Sequence, residues 1–228
     1  MPPVAKEPAS KRAVAFIDGQ NLYYAAKEAF GYSFPNYDVH ALAARICKAQ
    51  RWKLKQVRFY TGIPDAADNR RWNAFWVAKG AAMGRQKVVV VTRPLRYRNQ
   101  TVRLPNGARH TFLAAEEKGI DVRIAVDVIR LAHSKDYEVA LLFTQDQDLA
   151  EVAREIRVIA QEQKRWIKLL SAFPDSPARS NHRGVNGTDW IKIDRPSYDA
   201  CIDPRDFGAP KKSVKSRRPA RPKKSARK

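Results

Sequence analysis

Short apolar runs alternate along this chain with stretches whose apolar residues recur at helical spacing. "AVAFID" (13–18) reads as a buried strand, and "GQNLYYAAKEAF" (19–30) as a helix closed near Gly31. "YDVHALAARICKAQ" (37–50) predicts a second helix with Asp38 as its N-cap. "KQVRFYTG" (55–62) is a strand. "DNRRWNAFWVAKGAAMG" (68–84) is a helix in which Trp72, Phe75, Trp76 and Lys79 follow helical spacing, with both tryptophans expected in the core. "KVVVVT" (87–92) is β-branched and extended. Helix 117–134, strand 137–144, helix 146–163 and strand 166–173 complete the alternation. Residues 176–187 read as loop, and "DWIKID" as a short edge strand or a packed extension.

Two regions break this rhythm. "RPLRYRNQTVRLPNGARHTF" (93–112) holds an Asn106–Gly107 turn signal between alternating residues, which predicts a hairpin-like insertion. Residues 211–228 carry ten Lys or Arg and no acid among Pro and Ser, so a disordered polybasic tail is expected over 209–228. The domain plan is therefore a flexible N-terminus (1–12), one domain (13–172), an extension packed on it (173–208) and the tail. Strands separated by helices imply an α/β fold with a central, mainly parallel sheet covered on both faces. In such sheets ligands sit at the carboxyl ends of the strands.

Charge narrows the partner. The 228 residues carry a net charge of +21, and +11 remains on residues 1–210 without the tail. Such an excess points to a polyanion, nucleic acid or an anionic membrane surface. No apolar run approaches the roughly 18 residues that a span requires, and "MPPVAKEPASKR" has no apolar core of a secretory signal. Two cysteines without a CxxC, Cys47 and Cys201, suit a reducing cytoplasm. The four histidines are scattered, without zinc-site spacing.

Within this basic chain, carboxylates stand where the fold rule places chemistry. Asp18 ends the first strand, Asp146 and Asp148 follow the strand 137–144, and Asp121 opens a helix with Asp127 six residues on. A spacing of six is not one clean helical face. Alone, Asp18, Asp146 and Asp148 read more simply as helix caps or first-turn residues, and Asp127, inside a helix between apolar neighbours, as a satisfied polar group or a solvent-facing residue. Gathered together they would repel, and a divalent cation removes that penalty. Mg²⁺ or Mn²⁺ suits hard oxygen ligands and phosphodiester chemistry. Arg93, Arg96, Arg98, Arg103 and Arg109 in the insertion form a candidate phosphate-contacting ridge. Tyr23 and Tyr24 follow the first aspartate, and one of them is expected to reach the cleft and stack on a base.

"FIDGQNLYYA", "TRPLRYR", "EKGIDVRIAVDVIRLA" and "YEVALLFTQDQDL" together resemble, in order and spacing, the NYN subfamily of PIN-like nucleases over roughly residues 13–172. The resemblance implies a PIN-like three-layer sandwich and a metal-dependent ribonuclease acting on single-stranded or structured RNA. It implies metal-binding roles for Asp18, Asp121, Asp127, Asp146 and Asp148, catalytic roles for all of these but Asp127, and supporting roles for Asn21 and Thr144. The motif usually written SGDSD reads TQDQD here, with Gln145 where the family has Gly. Gln takes glycine's positive-φ conformations poorly, so a differently shaped turn is expected. The competing reading is a non-catalytic nucleic-acid-binding protein of the same fold. Phosphatases with an aspartate nucleophile want a second Asp two residues on, where this chain has Gln20.

Overall fold

A computed structural model describes residues 5–105 and 107–209. Strand β1 (Arg12–Asp18) leads directly into helix α1 (Gly19–Phe30), followed by α2 (Val39–Ala49), β2 (Lys53–Ile63), α3 (Ala66–Arg85) and β3 (Val89–Pro94). A hairpin, β4 (Arg96–Arg103) and β5 (Arg109–Glu116), precedes α4 (Ile120–His133) and β6 (Val139–Phe143). A 3₁₀ turn (Gln147–Leu149), α5 (Ala150–Glu162), β7 (Lys168–Pro174), β8 (Asp189–Ile193) and α6 (Arg195–Asp199) complete the chain.

The main sheet has six strands in the order β3-β2-β1-β6-β7-β8, and every neighbouring pair is parallel. From β1 the chain winds one way through β2 and β3, then returns and winds the other way through β6, β7 and β8. The reversal lies between β1 and β6, which is where open α/β sheets leave a crevice.

Burial on both faces explains the unbroken apolar strands. Along β1, Ala13, Ala15 and Ile17 join the core beneath α1, α2 and α3, while Val14 and Phe16 join the core beneath α4 and α5. The polar stretch 173–208 completes one edge of this architecture. "DWIKI" pairs in parallel with β7 and is a true edge strand. Asp203 and Cys201 then hydrogen-bond the 36–38 segment through the backbone.

Several expectations shift. The hairpin runs on to Glu116, four residues beyond the alternating stretch, and pairs only within itself. Helix α3 starts at Ala66 and is interrupted at Asn69, whose φ of −151° and ψ of 79° are not helical. Lys79 belongs to the core stripe of that helix at 1% exposure. Its ammonium donates to the Tyr37 carbonyl at 2.8 Å and lies 3.4 Å from Asp203. Trp76 is buried against Phe59, but Trp72 is only partly covered. The expected tail lies, apart from Ala209, outside the described residues. Among the described residues, no helix is long and apolar enough to cross a membrane.

Candidate active site

Three short segments converge at the crevice. The first is the β1–α1 junction. Asp18 leaves the strand with extended backbone, and its carboxylate caps α1 by accepting from the Asn21 amide at 2.9 Å. The second follows β6, where Asp146 caps the 3₁₀ turn by accepting from the Asp148 amide at 3.0 Å. Asn21 joins the two junctions, its side-chain oxygen accepting from the Gln145 amide at 3.0 Å. Thr144 holds the same turn from within, its hydroxyl accepting from the Asp146 amide at 3.1 Å. The third segment enters α4. Gly119 takes the left-handed conformation (φ 75°), and Asp121 falls in the first helical turn. Capping and lining the crevice are thus compatible for the same aspartate.

The cleft between these segments holds about 730 Å³. Asp18, Asp121 and Asp146 all line it, together with Glu117. Glu117 accepts a hydrogen bond from the Gly62 amide at the end of β2. Burial pushes the Asp18 carboxyl up to about 6, against the backbone donors at Asn21 and Gln20 and with help from the Asp146 and Asp121 charges. Burial likewise pushes Glu117 up to about 7, and the charges of Asp18 and Asp121 add to the shift. These four carboxylates repel one another in a partly desolvated space. Among the described residues, no three His, Cys, Asp or Glu side chains form a ready-made ion cage. Hard oxygen donors around an open, polar cleft nevertheless fit an ion that takes few protein ligands and keeps several waters.

The remaining expected residues go elsewhere. Asp127 is fully buried on α4 and does not line the cleft. It accepts from Arg58 at 2.9 Å, from the Tyr60 hydroxyl at 3.0 Å and from Arg123 at 2.9 Å, with Arg130 at 3.5 Å. Burial would raise its pKa, but the donors Arg58 and Tyr60 and the charge of Arg123 hold it below the usual value. Asp127 is thus not brought together with Asp18, Asp121 and Asp146. Six residues from Asp121, it points at β2. Asp148 is exposed and lies outside the cleft lining. Arg93, Arg96, Arg98, Arg103 and Arg109 are exposed on and beside the hairpin rather than in the cleft. Arg98 lies 3.8 Å from Glu116. Of the tyrosine pair, Tyr24 lines the acidic cleft and Tyr23 faces an adjoining cavity, its hydroxyl donating to the Ser33 carbonyl.

The two glutamines of TQDQD acquire a purpose that spacing did not reveal. Gln145 lies outside the left-handed region, so nothing in its backbone demands glycine. Its side-chain amide donates to the Arg183 carbonyl at 2.7 Å. Gln147 donates to the Gly184 carbonyl at 3.1 Å and accepts from the Asn186 amide at 3.1 Å. Together they dock the 181–186 loop on the site, and Arg179 and Asn181 of the same connection join the cleft wall. Arg179 is itself held by Glu28 and by the Pro174 carbonyl. Glu117 and this loop escaped sequence reasoning. Glu117 stands two residues before Gly119 in "EKGID", so its proximity to Asp121 was the one available signal.

The family model of the NYN domain matches residues 12–181. The chain belongs to the NYN domain family. NYN domains are part of the PIN-like nuclease superfamily, whose members generally act on nucleic acids with divalent metal ions. No curated protein matches the chain. Among solved structures, VPA0982 from Vibrio parahaemolyticus RIMD 2210633, a protein of unknown function, is 17% identical over 87% of this chain and 99% of its own, with a TM-score of 0.49. MurG from Acinetobacter baumannii is 14% identical over 73% of this chain and 37% of its own, with a TM-score of 0.27. This NYN chain keeps Asp18, Asn21, Asp121 and Asp146 around one crevice.

Proposed function

We propose that this NYN protein is a metal-dependent endoribonuclease that hydrolyses phosphodiester bonds using Mg²⁺ or Mn²⁺. The observation that carries the reading is the convergence of Asp18, Glu117, Asp121 and Asp146 on one cleft at the point where the sheet reverses its winding. Asp18, Asp121 and Asp146 would hold the ion, with Glu117 at the same wall. When bound, the ion supplies an activated water and offsets charge building on the phosphate oxygens.

The chain's own residues do the rest. Caps fix the aspartates: Asp18 and Asp146 are each oriented by a backbone amide of their own turn, which limits the motion needed to accept a cation. Asn21 locks the two junctions together, so Asp18 and Asp146 keep their relation. Lys118 and Arg179 on the wall, and the hairpin arginines beyond it, attract the phosphate backbone towards a cleft that would otherwise repel it. Two free, buried cysteines are in keeping with a cytoplasmic enzyme.

Cleavage of single-stranded RNA in Mn²⁺, with EDTA as the control, tests this reading. The wild type should cut in Mn²⁺ alone, and Asp18→Asn should lose activity by about two orders of magnitude or more, since removing one charge-stabilising group costs about 10²–10³ in rate. Cutting that survives both EDTA and the substitution would refute the metal site. Tight binding without any cutting would favour a nucleic-acid-binding protein.

A further inference from the structure

Beside the acidic cleft lies a second cavity of about 290 Å³. The two adjoin, because Gln20, Tyr24 and Glu117 line both. Its walls are aromatic and come from three separate elements: Tyr23 and Tyr24 from α1, Trp72 from α3 and Tyr97 from the hairpin. Tyr23 and Trp72 pack one side against the core, yet the rings stay open to the cavity. Tyr24 is 53% exposed, and Trp72 and Tyr97 are only partly buried. Strand alternation turns Tyr97 into the cavity and sends its neighbours Arg96 and Arg98 to solvent. The interruption of α3 at Asn69 shapes the opposite wall, where Asp68 and Asn69 add polar groups. Lys27 lies over both tyrosine rings, 6.0 Å from Tyr23 and 5.9 Å from Tyr24.

We infer that this aromatic cavity is a nucleobase subsite, taking an unpaired base of the nucleotide that adjoins the phosphate in the acidic cleft. The inference rests on the proposal that the acidic cleft holds the scissile phosphate. Aromatic rings stack on bases whatever the sequence. Polar groups at Asp68 and Asn69 can meet a base edge, and Lys27 beside the two tyrosines adds a nearby positive charge. A base can enter only when it is unstacked from its neighbours, which duplex bases are not. The preferred substrate is therefore single-stranded, or a loop or bulge in structured RNA. The insertion then has a second part beyond its arginines. It brings Tyr97 across to close the cavity against α1 and α3.

Binding in EDTA isolates this subsite from cleavage. The full chain is titrated with a single-stranded RNA dodecamer and with a strand of equal length and charge that lacks bases throughout. Wild type should bind the base-bearing strand about tenfold more tightly, within the range measured for stacking on aromatic side chains. Tyr24→Ala and Tyr97→Ala should each shrink that ratio while leaving affinity for the baseless strand unchanged, and Tyr97→Phe should preserve the ratio. Tyr24 is largely exposed, so that variant is expected to melt as wild type does. Equal wild-type affinity for the two strands would overturn the subsite. So would a Tyr→Ala variant that weakens both strands alike, or one that leaves the ratio intact. The nuclease reading is judged separately: cutting in Mn²⁺ with no base preference sinks only the subsite, whereas base-dependent binding without cutting sinks only the nuclease reading.

Discussion

Two buried aspartates in this molecule, Asp127 and Asp18, stand in opposite electrostatic situations. Asp127 is wholly inside the fold and has a cation on nearly every side: Arg58, Arg123 and Arg130, with the Tyr60 hydroxyl as a further donor. Asp18 is almost as buried, yet its neighbours are Asp146, Asp121 and Glu117. One site is complete as folded. The other holds like charges together and is pushed towards protonation. Buried charge persists where it is paired, and under the proposed function the group without a cationic partner is where the metal ion would bind. Both aspartates matched positions of one family pattern, and only their surroundings separate the structural carboxylate from the candidate metal-binding one.

Substitution should separate them most sharply. Asp127→Ala leaves Arg58 buried without its carboxylate partner, with only the neutral Tyr60 hydroxyl and Gln56 oxygen as acceptors, and should destabilise the fold by about 3–5 kcal/mol, the usual consequence of removing one partner of a buried pair. Chemical denaturation would check this, and the loss should be the same with or without Mn²⁺. Asp18→Asn should do the reverse in metal-free protein at neutral pH. Asparagine still caps α1, while the unfavourable buried charge is gone. Given a carboxyl raised from 3.8 to about 6, the gain should be on the order of 3 kcal/mol.

The pH dependence carries the same contrast with opposite signs. Asp18 holds its proton more tightly in the fold than in the unfolded chain. Its contribution to metal-free stability is therefore greatest below 3.8 and declines as pH rises to about 6. Asp127 has a folded pKa below 3.8, so its contribution is present above 3.8 and is lost as pH falls through the folded value. Melting curves of metal-free wild type, Asp18→Asn and Asp127→Asn across a range of about pH 3–7 would resolve the two. Asp18→Asn should reduce the decline between about pH 4 and 6, leaving the share that Glu117 contributes, and Asp127→Asn should remove the acid-side loss.

Smaller effects are expected where the cleft meets its surroundings. Gln145→Ala removes the donor to the Arg183 carbonyl and should cost about 1 kcal/mol. Hydrogen exchange should show the 181–186 loop opening more readily while β6 stays protected. Replacing both Arg96 and Arg98 with Ala should leave stability unchanged. It should reduce the dependence of single-strand affinity on salt by roughly 0.7 in log–log slope for each phosphate that is no longer neutralised.

The sheet was legible because each central strand is buried on both faces, so β1 and β6 read as unbroken apolar runs. Asp18 and Asp146 were legible for the same reason, since they stand where those runs stop. Glu117 was not, because its place depends on the Gly62 amide, which only the pairing of the strands and the path of the hairpin bring near. The partners of Asp127 were not legible because Arg58 and Tyr60 lie 69 and 67 residues away in sequence. Lys79 shows the same limit. Its spacing put it on the core face of α3, but the Asp203 that makes burial tolerable lies 124 residues further along the chain. The glutamines of TQDQD are a local departure from the family pattern whose explanation, the 181–186 loop, is distant in sequence.

Thermal melting of the wild type, Asp18→Asn and Asp127→Asn during a Mn²⁺ titration at neutral pH tests the cation-completed cleft most directly. Wild type and Asp127→Asn should both gain melting temperature as Mn²⁺ is added, and Asp18→Asn should gain little or nothing. A Mn²⁺-dependent rise that Asp18→Asn keeps in full, or that Asp127→Asn alone abolishes, would contradict the account.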